Sequence, residues 1–270
     1  MERKWMAVSC LKIRQIGKMP KLSNPILLGG LPGIGNVGKV AVDFLIEDMK
    51  AVKLYEIYSH TFPHSVFVNE NNLVELPTVG IYYKKRKQRD LLFLAGDVQP
   101  VDEVSSYEFS EKILDMLKEM DGREVITIGG IGLAEAPKHP KVYCTANSKK
   151  FLEKYKSPLL QTKLYGVVGP IVGVSGLLVG LARKWNMDAI ALLAETYGHP
   201  MYLGIKGARE VLKILNEKLK LGTNLKRLDK EIAEIESELI KRTNELADVS
   251  RQTVLRKLKG KMGKETSYIG

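Results

Sequence analysis

A glycine-rich segment near the amino terminus constrains the fold more than any other part of this sequence. It starts with the apolar run Ile26–Leu28, passes through a glycine-containing turn and continues into an amphipathic helical pattern over Val37–Met49. Gly33, Gly35 and Gly38 have the G-x-G-x-x-G spacing of a dinucleotide-binding fingerprint. The segment therefore predicts a strand, a tight turn and a helix.

The same segment has two functional interpretations. Gly33 and Gly38-Lys39 have the separation of a phosphate-binding loop, although Val40 stands where such a loop needs a magnesium-binding hydroxyl. Unpaired N–H groups at a helix N-terminus favour phosphate, and Glu56 is a candidate for the acidic residue that binds a ribose. The glycines equally suit a turn in which helix and strand pack closely. Spacing alone leaves a nucleotide site and a structural turn open.

Composition indicates a folded protein with an excess of positive charge. The chain has 270 residues, 44% of them hydrophobic, and a formal net charge of +11. This length suits one large domain, or a domain with an appendage. The basic residues cluster at 84–89 and at 251–264. No aromatic residue is interleaved in the first cluster, so a solvated surface is favoured over a nucleic-acid groove.

Short apolar runs alternate with helical patterns, which predicts an α/β fold with a mainly parallel central sheet and helices on both faces. The uncharged stretch Leu164–Ala182 is interrupted by glycines and Pro170, and is interpreted as a buried strand, turn and helix, not a membrane span. The predicted strands are Ala7–Ile13, Ile26–Leu28, Lys53–Tyr58, Thr78–Tyr83, Leu91–Ala95, Val125–Ile128, Leu164–Val168 and Ala189–Ala194. The predicted helices are Val37–Met49, Glu103–Met120, Ser148–Tyr155, Gly173–Trp185 and Lys206–Lys220. Glycine-bearing loops follow many of these strands, so they are expected to form a cleft at one edge of the sheet.

The pattern changes after Gly222, which predicts three regions: an α/β domain over 1–222, a helical coiled-coil segment over 223–258 and a flexible basic tail over 259–270. Apolar residues in the second region alternate in steps of three and four, with Arg242 in the one polar slot. A pairing of this helix with Lys206–Lys220 and a self-association helix stay open, and oligomerisation is favoured. The predicted oligomerisation residues are Leu225, Leu228, Ile232, Ile235, Leu239, Leu246 and Val249.

The residues that carry chemistry do not form a catalytic or metal-binding set in the sequence. Pro63 between His60 and His64 argues against a shared helix face, and Cys10 and Cys144 suit a reduced, cytoplasmic protein. Ser175 lacks the final glycine of a nucleophile elbow and is expected to cap the following helix. Asp97 and Glu195 are candidate acids or bases, or structural hydrogen-bond acceptors. No catalytic residue, metal or cofactor is predicted.

Five motifs together resemble the proteasome assembly chaperone 2 family, in its archaeal branch. They are Gly30–Gly38, Gly96–Pro100, Gly129–Gly132, Gly169–Leu178 and Glu195-Thr196. The similarity extends over about residues 8–220, in order and in the same loops. The resemblance implies an α/β fold and a non-enzymatic, protein-binding role around the 20S proteasome.

The resemblance also implies partners. Archaeal relatives form oligomers, and some end in a hydrophobic–Tyr–any tripeptide that docks between proteasome α-subunits. This chain ends in Tyr268-Ile269-Gly270, with the tyrosine one position earlier. We therefore expect a homo-oligomer whose tail binds a proteasome subunit, by this or another mode, or a different protein. The alternative is a nucleotide-binding enzyme that uses Gly33–Lys39.

Overall fold

The computed structural model describes residues 11–164, 166, 169–199, 202–230 and 232–234. Contacts divide the chain into two units, 1–224 and 225–270. The strands of the first unit are β1 Leu11–Gln15, β2 Ile26–Gly30, β3 Val52–Ser59, β4 Phe67–Val68, β5 Val74–Glu75, β6 Val79–Lys84, β7 Leu91–Gly96, β8 Glu124–Leu133, β9 Val142–Ala146, β10 Leu160–Gln161 and β11 Asp188–Tyr197. Its helices are α1 Val37–Asp48, α2 Glu103–Glu119, α3 Lys149–Tyr155, α4 Val174–Ala182 and α5 Ile205–Leu219.

Nine strands form one mixed sheet in the order β1-β3-β6-β7-β2-β8-β11-β9-β10. The four central strands, β7, β2, β8 and β11, run parallel to one another. On one side β6, β3 and β1 continue in antiparallel fashion, and on the other β9 runs antiparallel to β11. The prediction of a mainly parallel sheet is therefore wrong outside the centre. Two margins that contain antiparallel strands therefore flank a parallel core.

Helices cover both faces of the sheet, as predicted. Helix α1 packs with α5 against β2, β8 and β11, while α4 packs with α2 against β8 and β11. Strands β2 and β7 are almost completely buried, which explains why each is a continuous apolar run instead of an alternating one.

Several predicted elements differ from the observed ones. Leu164 lies outside any strand and Gly166 lies in a turn, so the predicted strand Leu164–Val168 is wrong at its described positions. Its apolar composition resembled that of a buried strand, but periodicity cannot separate a short apolar strand from an apolar loop. Strands β9 and β10 and the small β4–β5 hairpin were missed. The predicted strands Thr78–Tyr83 and Leu91–Ala95 correspond to β6 and β7, which pair as an antiparallel hairpin.

Within the described residues, every helix is too short or too polar to cross a bilayer. The uncharged stretch before Ala182 ends instead in α4, a helix of nine residues.

The second unit has helical backbone at residues 226–230 and 232–234. Leu228 is buried there, and Leu225 and Ile232 are half-buried. Other predicted residues lie outside the described part of the chain: Ile235, Leu239, Leu246, Val249, Tyr268, Ile269 and Gly270.

Candidate functional site

The carboxyl ends of the central strands border a cleft of about 470 Å³. We call it the glycine cleft. Three segments form most of its walls: Leu31–Ile34 after β2, Gly129–Gly132 at the end of β8, and residues 169–173 before α4. Gln99 and Ser175 provide polar side chains, and none of the described lining residues is ionisable. The predicted convergence of glycine loops is therefore observed, and the cleft they form is uncharged.

Close backbone packing explains two glycines of the first wall. A Cβ on Gly38 would lie 2.3 Å from the carbonyl oxygen of Ile128, which is closer than real contacts allow. Gly35 has a φ of 60°, and a Cβ there would lie 2.4 Å from Oγ1 of Thr196. These glycines let α1 and its turn pack directly against β8 and β11, which is the structural-turn interpretation of the motif.

Gly33 differs from the other two glycines of the fingerprint. Its φ of −165° is extended backbone that any residue adopts. Among the described residues, no atom outside its own chain neighbours lies within 4 Å of the position that a Cβ would occupy there. Packing against the described residues therefore does not require a glycine at residue 33.

Lys39 is not among the residues that line the glycine cleft. Its Nζ donates to the carbonyl oxygen of Gly96 at 3.2 Å, and lies 3.0 Å from Asp43 Oδ2 and 3.5 Å from Asp97 Oδ1. In a phosphate-binding loop this lysine must reach the phosphates. Here it ties α1 to the end of β7, so the described geometry does not support the nucleotide interpretation.

The proposed ribose-binding acid lies away from the cleft as well. Glu56 is in β3, three places from β2 in the sheet, and its carboxylate pairs with Arg14 and Lys53. It therefore stabilises a margin of the sheet.

Asp97 and Glu195 act as hydrogen-bond acceptors between strands. Asp97 Oδ2 accepts from the backbone N–H of Thr78 at 3.2 Å, at the start of β6. Glu195 accepts from the backbone N–H of Lys141 at 2.9 Å and from the Tyr143 hydroxyl at 3.3 Å. Both carboxylates hold an antiparallel margin strand to the parallel core.

Gln99 was missed by sequence reasoning, and it connects two walls of the cleft. Its Oε1 accepts from the backbone N–H of Val174 at 3.2 Å, while its Nε2 donates to the carbonyl oxygen of Pro32 at 2.8 Å. The predicted cap at Ser175 is wrong, because the N-cap residue of α4 is Gly173 and Gln99 satisfies the first helical N–H. The capping side chain is 75 residues distant in sequence, so no local signal could have identified it.

We expect Gln99→Ala to lower the free energy of unfolding by about 1–2 kcal/mol, because it removes a helix cap and a second hydrogen bond. Gln99→Glu is the matched variant, since its carboxylate still accepts from Val174 but gives Pro32 no donor. In urea unfolding, the free energy of unfolding of Gln99→Glu should lie between those of the wild type and Gln99→Ala. An alanine variant as stable as wild type would contradict this role.

Other candidate groups show no catalytic arrangement in the described part of the chain. No three histidine, cysteine or acidic side chains there are placed to hold a metal ion. Burial raises the pKa of the Cys144 thiol to about 11, so this cysteine is a thiol and not a nucleophilic thiolate at neutral pH.

Two apolar side chains of the cleft are left in solvent. Ile34 is 52% exposed and Val172 is 83% exposed, and they belong to different wall segments of the cleft. Together with the uncharged lining, they define a surface suited to contact with another polypeptide and not to charge-driven chemistry.

The fold and the glycine cleft define a class of α/β proteins with a mixed sheet and an uncharged, glycine-lined cleft. Comparison with known proteins identifies the family to which this class corresponds. The PAC2 family model matches residues 27–242, so the chain belongs to the PAC2 family. The resemblance inferred from the five motifs is thereby confirmed.

Solved structures give the same fold. PbaB of Pyrococcus furiosus, an archaeal proteasome activator, superposes with a TM-score of 0.80 and is 34% identical, covering 87% of this chain and 99% of that one. PbaA of the same organism, an archaeal homologue of proteasome-assembly chaperone, gives a TM-score of 0.72 at 23% identity, covering 92% and 98%. An uncharacterised protein of Methanocaldococcus jannaschii is 28% identical over 217 residues, or 80% of this chain and 82% of that protein.

Proposed function

We propose that this chain is a non-enzymatic, protein-binding chaperone homologue linked to the assembly or regulation of the 20S proteasome. The observation that carries the proposal is the similarity to PbaB, which extends along nearly all of that protein. The same similarity supports a cytoplasmic, archaeal setting.

The glycine cleft supports a binding role for the α/β unit. Its walls are backbone and apolar side chains, with Ile34 and Val172 accessible to a partner. Gln99 holds two of these walls together, so the surface is pre-formed and loses little conformational entropy on binding.

The carboxyl-terminal regions supply the other parts of the proposal. The seam from Leu225 to Val249 joins copies of the chain into a homo-oligomer, and the basic tail ending in Tyr268-Ile269-Gly270 binds the proteasome. An oligomer presents several tails at once, so weak individual contacts gain avidity.

Binding to purified 20S proteasome from the same organism tests the function. Full-length chain should be retained on immobilised proteasome, and deletion of residues 259–270 should lower the affinity at least tenfold. Tyr268→Ala should weaken binding similarly, whereas the matched change Ser267→Ala should not. Retention of full affinity without the tail would overturn the role of the tail, and absence of binding by the full-length chain would overturn the proteasome assignment.

Calorimetry separates this proposal from the nucleotide-binding alternative. Titration with ATP or NAD should give no saturable heat, because Lys39 is engaged by Gly96, Asp43 and Asp97. Micromolar binding of either nucleotide would contradict the non-enzymatic assignment.

A further inference from the structure

A second concave surface lies between the end of β3 and the β4–β5 hairpin. Because β3 and β7 are both antiparallel to β6, β3 ends at the same edge of the sheet as the parallel strands of the core. The surface is a recess of about 370 Å³, which we call the hairpin recess. Tyr58, His60 and Phe62 contribute aromatic side chains to it, and Val66 and Leu76 contribute aliphatic ones. None of the described lining residues is a lysine, an arginine or a carboxylate.

One face of the β4–β5 hairpin is aliphatic. Val68 lies opposite Val74 across the two strands. Side chains two residues apart point to the same face of a strand, so Val66 and Leu76 share the face of this pair. Each of the four side chains is more than half exposed. This aliphatic face is therefore left in solvent, and two of its members also line the hairpin recess.

The turn of the hairpin is held by Asn69. Its Oδ1 accepts from the backbone N–H groups of Asn71 and Leu73, each at 3.0 Å. Its Nδ2 donates to Glu75 Oε1 at 2.6 Å, which connects the turn to the second strand. Side-chain hydrogen bonds of this kind restrict a turn to one conformation. The aliphatic face is thus pre-formed, and a partner that binds it orders little additional backbone.

The chain segments at this surface carry an excess of negative charge. Residues 60–77 contain two carboxylates and residues 97–111 contain five, and neither segment contains a lysine or an arginine, although the whole chain has a net charge of +11. Lys39, which is 3.5 Å from Asp97, and Lys12, which lies opposite Tyr58 in the β1–β3 pair, offset only part of this charge. The carboxylates are those of Glu70, Glu75, Asp97, Asp102, Glu103, Glu108 and Glu111.

Two contacts join these segments to each other. The backbone N–H of Thr78, next to the base of the hairpin, donates to Asp97 Oδ2 at 3.2 Å. The ring of Phe62 packs edge-on against that of Phe109 in α2, with 6.4 Å between the centroids. The carboxylates that follow β7 therefore border the apolar surface.

We propose that the hairpin recess and the aliphatic face bind a basic, apolar segment of a partner polypeptide. Aliphatic or aromatic side chains of this segment cover the aliphatic face and enter the recess, while flanking lysines or arginines pair with the surrounding carboxylates. The charge of the surface is the reason for this choice, because an apolar segment with acidic flanks would bring like charges together. The surface is separate from the glycine cleft, and the proposal does not depend on the proteasome role.

Selection from a phage-displayed library of random dodecapeptides tests the proposal. The library is passed over immobilised full-length protein and, in parallel, over a double variant, Val68→Ser combined with Val74→Ser. Peptides enriched on the wild type and not on the variant should combine an aliphatic or aromatic run with net positive charge. Absence of any enrichment that depends on the hairpin, or enrichment of acidic peptides, would overturn the proposal.

Fluorescence anisotropy with the most enriched peptide gives the affinities. The double serine variant should bind about tenfold more weakly, and so should the wild type when the chloride concentration is raised. The melting temperature of the variant should stay unchanged, because both valines are exposed. Val52→Ser is the matched control, since Val52 is also more than half exposed but lies at the other end of β3, and it should keep the wild-type affinity.

A charge variant keeps the proposal testable even if the serine substitutions disturb the hairpin. Glu70→Gln combined with Glu108→Gln leaves the aliphatic face intact and removes two exposed negative charges. This variant should also bind the peptide more weakly. Unchanged affinity would contradict the assignment of a basic partner.

Light scattering on the double serine variant tests the other possible occupant, a second copy of this chain. If a second copy covered the hairpin, the mass of the variant would fall below that of the wild type. We expect an unchanged mass. A lower mass would overturn the assignment to a separate partner.

Discussion

Replacing Gly38 with alanine is expected to lower the free energy of unfolding by about 3 kcal/mol. The added methyl carbon would lie 2.3 Å from the Ile128 carbonyl oxygen and 3.2 Å from the Cα of Gly30. Neither is the end of a flexible side chain, so α1 must move away from β8. Gly38 lies within α1, where alanine is otherwise favoured over glycine by about 1 kcal/mol. A loss of stability would therefore show that the steric conflict dominates.

Gly33→Ala is the matched control, because it adds the same methyl group five residues earlier in the same motif. Its backbone is extended and its surroundings are open, so the free energy of unfolding should change by less than about 0.5 kcal/mol. In thermal unfolding, the melting temperature of the Gly38→Ala variant should lie roughly 6–12 °C below that of the wild type. The melting temperature of the Gly33→Ala variant should be close to that of the wild type. Equal effects at both positions would mean that close packing does not explain the motif.

Disruption of the heptad seam is expected to convert the proposed homo-oligomer into a 30.2 kDa monomer. Leu239 and Leu246 occupy equivalent seam positions seven residues apart. Leu239→Asp combined with Leu246→Asp places two carboxylates where the pattern calls for buried apolar side chains. Each lost leucine contributes about 1.5–3 kcal/mol of burial, and a buried unpaired charge adds to that cost.

Ser237→Asp combined with Asn244→Asp provides the control for the seam. It adds the same formal charge at the same seven-residue spacing, on the side of the helical pattern away from the seam. Light scattering after size-exclusion chromatography should give the oligomer mass for this control and the monomer mass for the leucine variant. A wild-type chain that is itself monomeric, or an unchanged mass in the leucine variant, would contradict self-assembly through this helix.

Local sequence patterns predicted the parallel core well. Strands β2 and β7 are continuous apolar runs bounded by glycines, and the helices that follow them are long and amphipathic. These signals are contained within a few neighbouring residues, so single-sequence reasoning can use them. The convergence of glycine loops followed from the parallel arrangement of the same strands.

The margins of the sheet could not be predicted in the same way. Strand direction there depends on pairings between distant segments, such as β9 with β11 and β3 with β6. The role of Gln99 in the glycine cleft could not be predicted for the same reason, because its two hydrogen-bond partners, Pro32 and Val174, lie 67 and 75 residues away in the sequence. Likewise, Arg86 is half-buried because its guanidinium donates to the carbonyl oxygens of Leu219 and Lys220, which lie 133 and 134 residues further along the chain. Composition identifies such residues as polar or basic but does not indicate what they contact.

The two outermost strands of the sheet, as the described residues form it, also restrict how copies of this chain can associate. At one border, β1 presents Lys12 and Arg14 as exposed cations, and at the other, β10 has only two residues. Charged or very short border strands discourage the addition of a further strand from another molecule. Growth by continuous β-pairing, the route to fibrils, is therefore disfavoured, and ordered assemblies must rely on side-chain contacts between separately folded bodies.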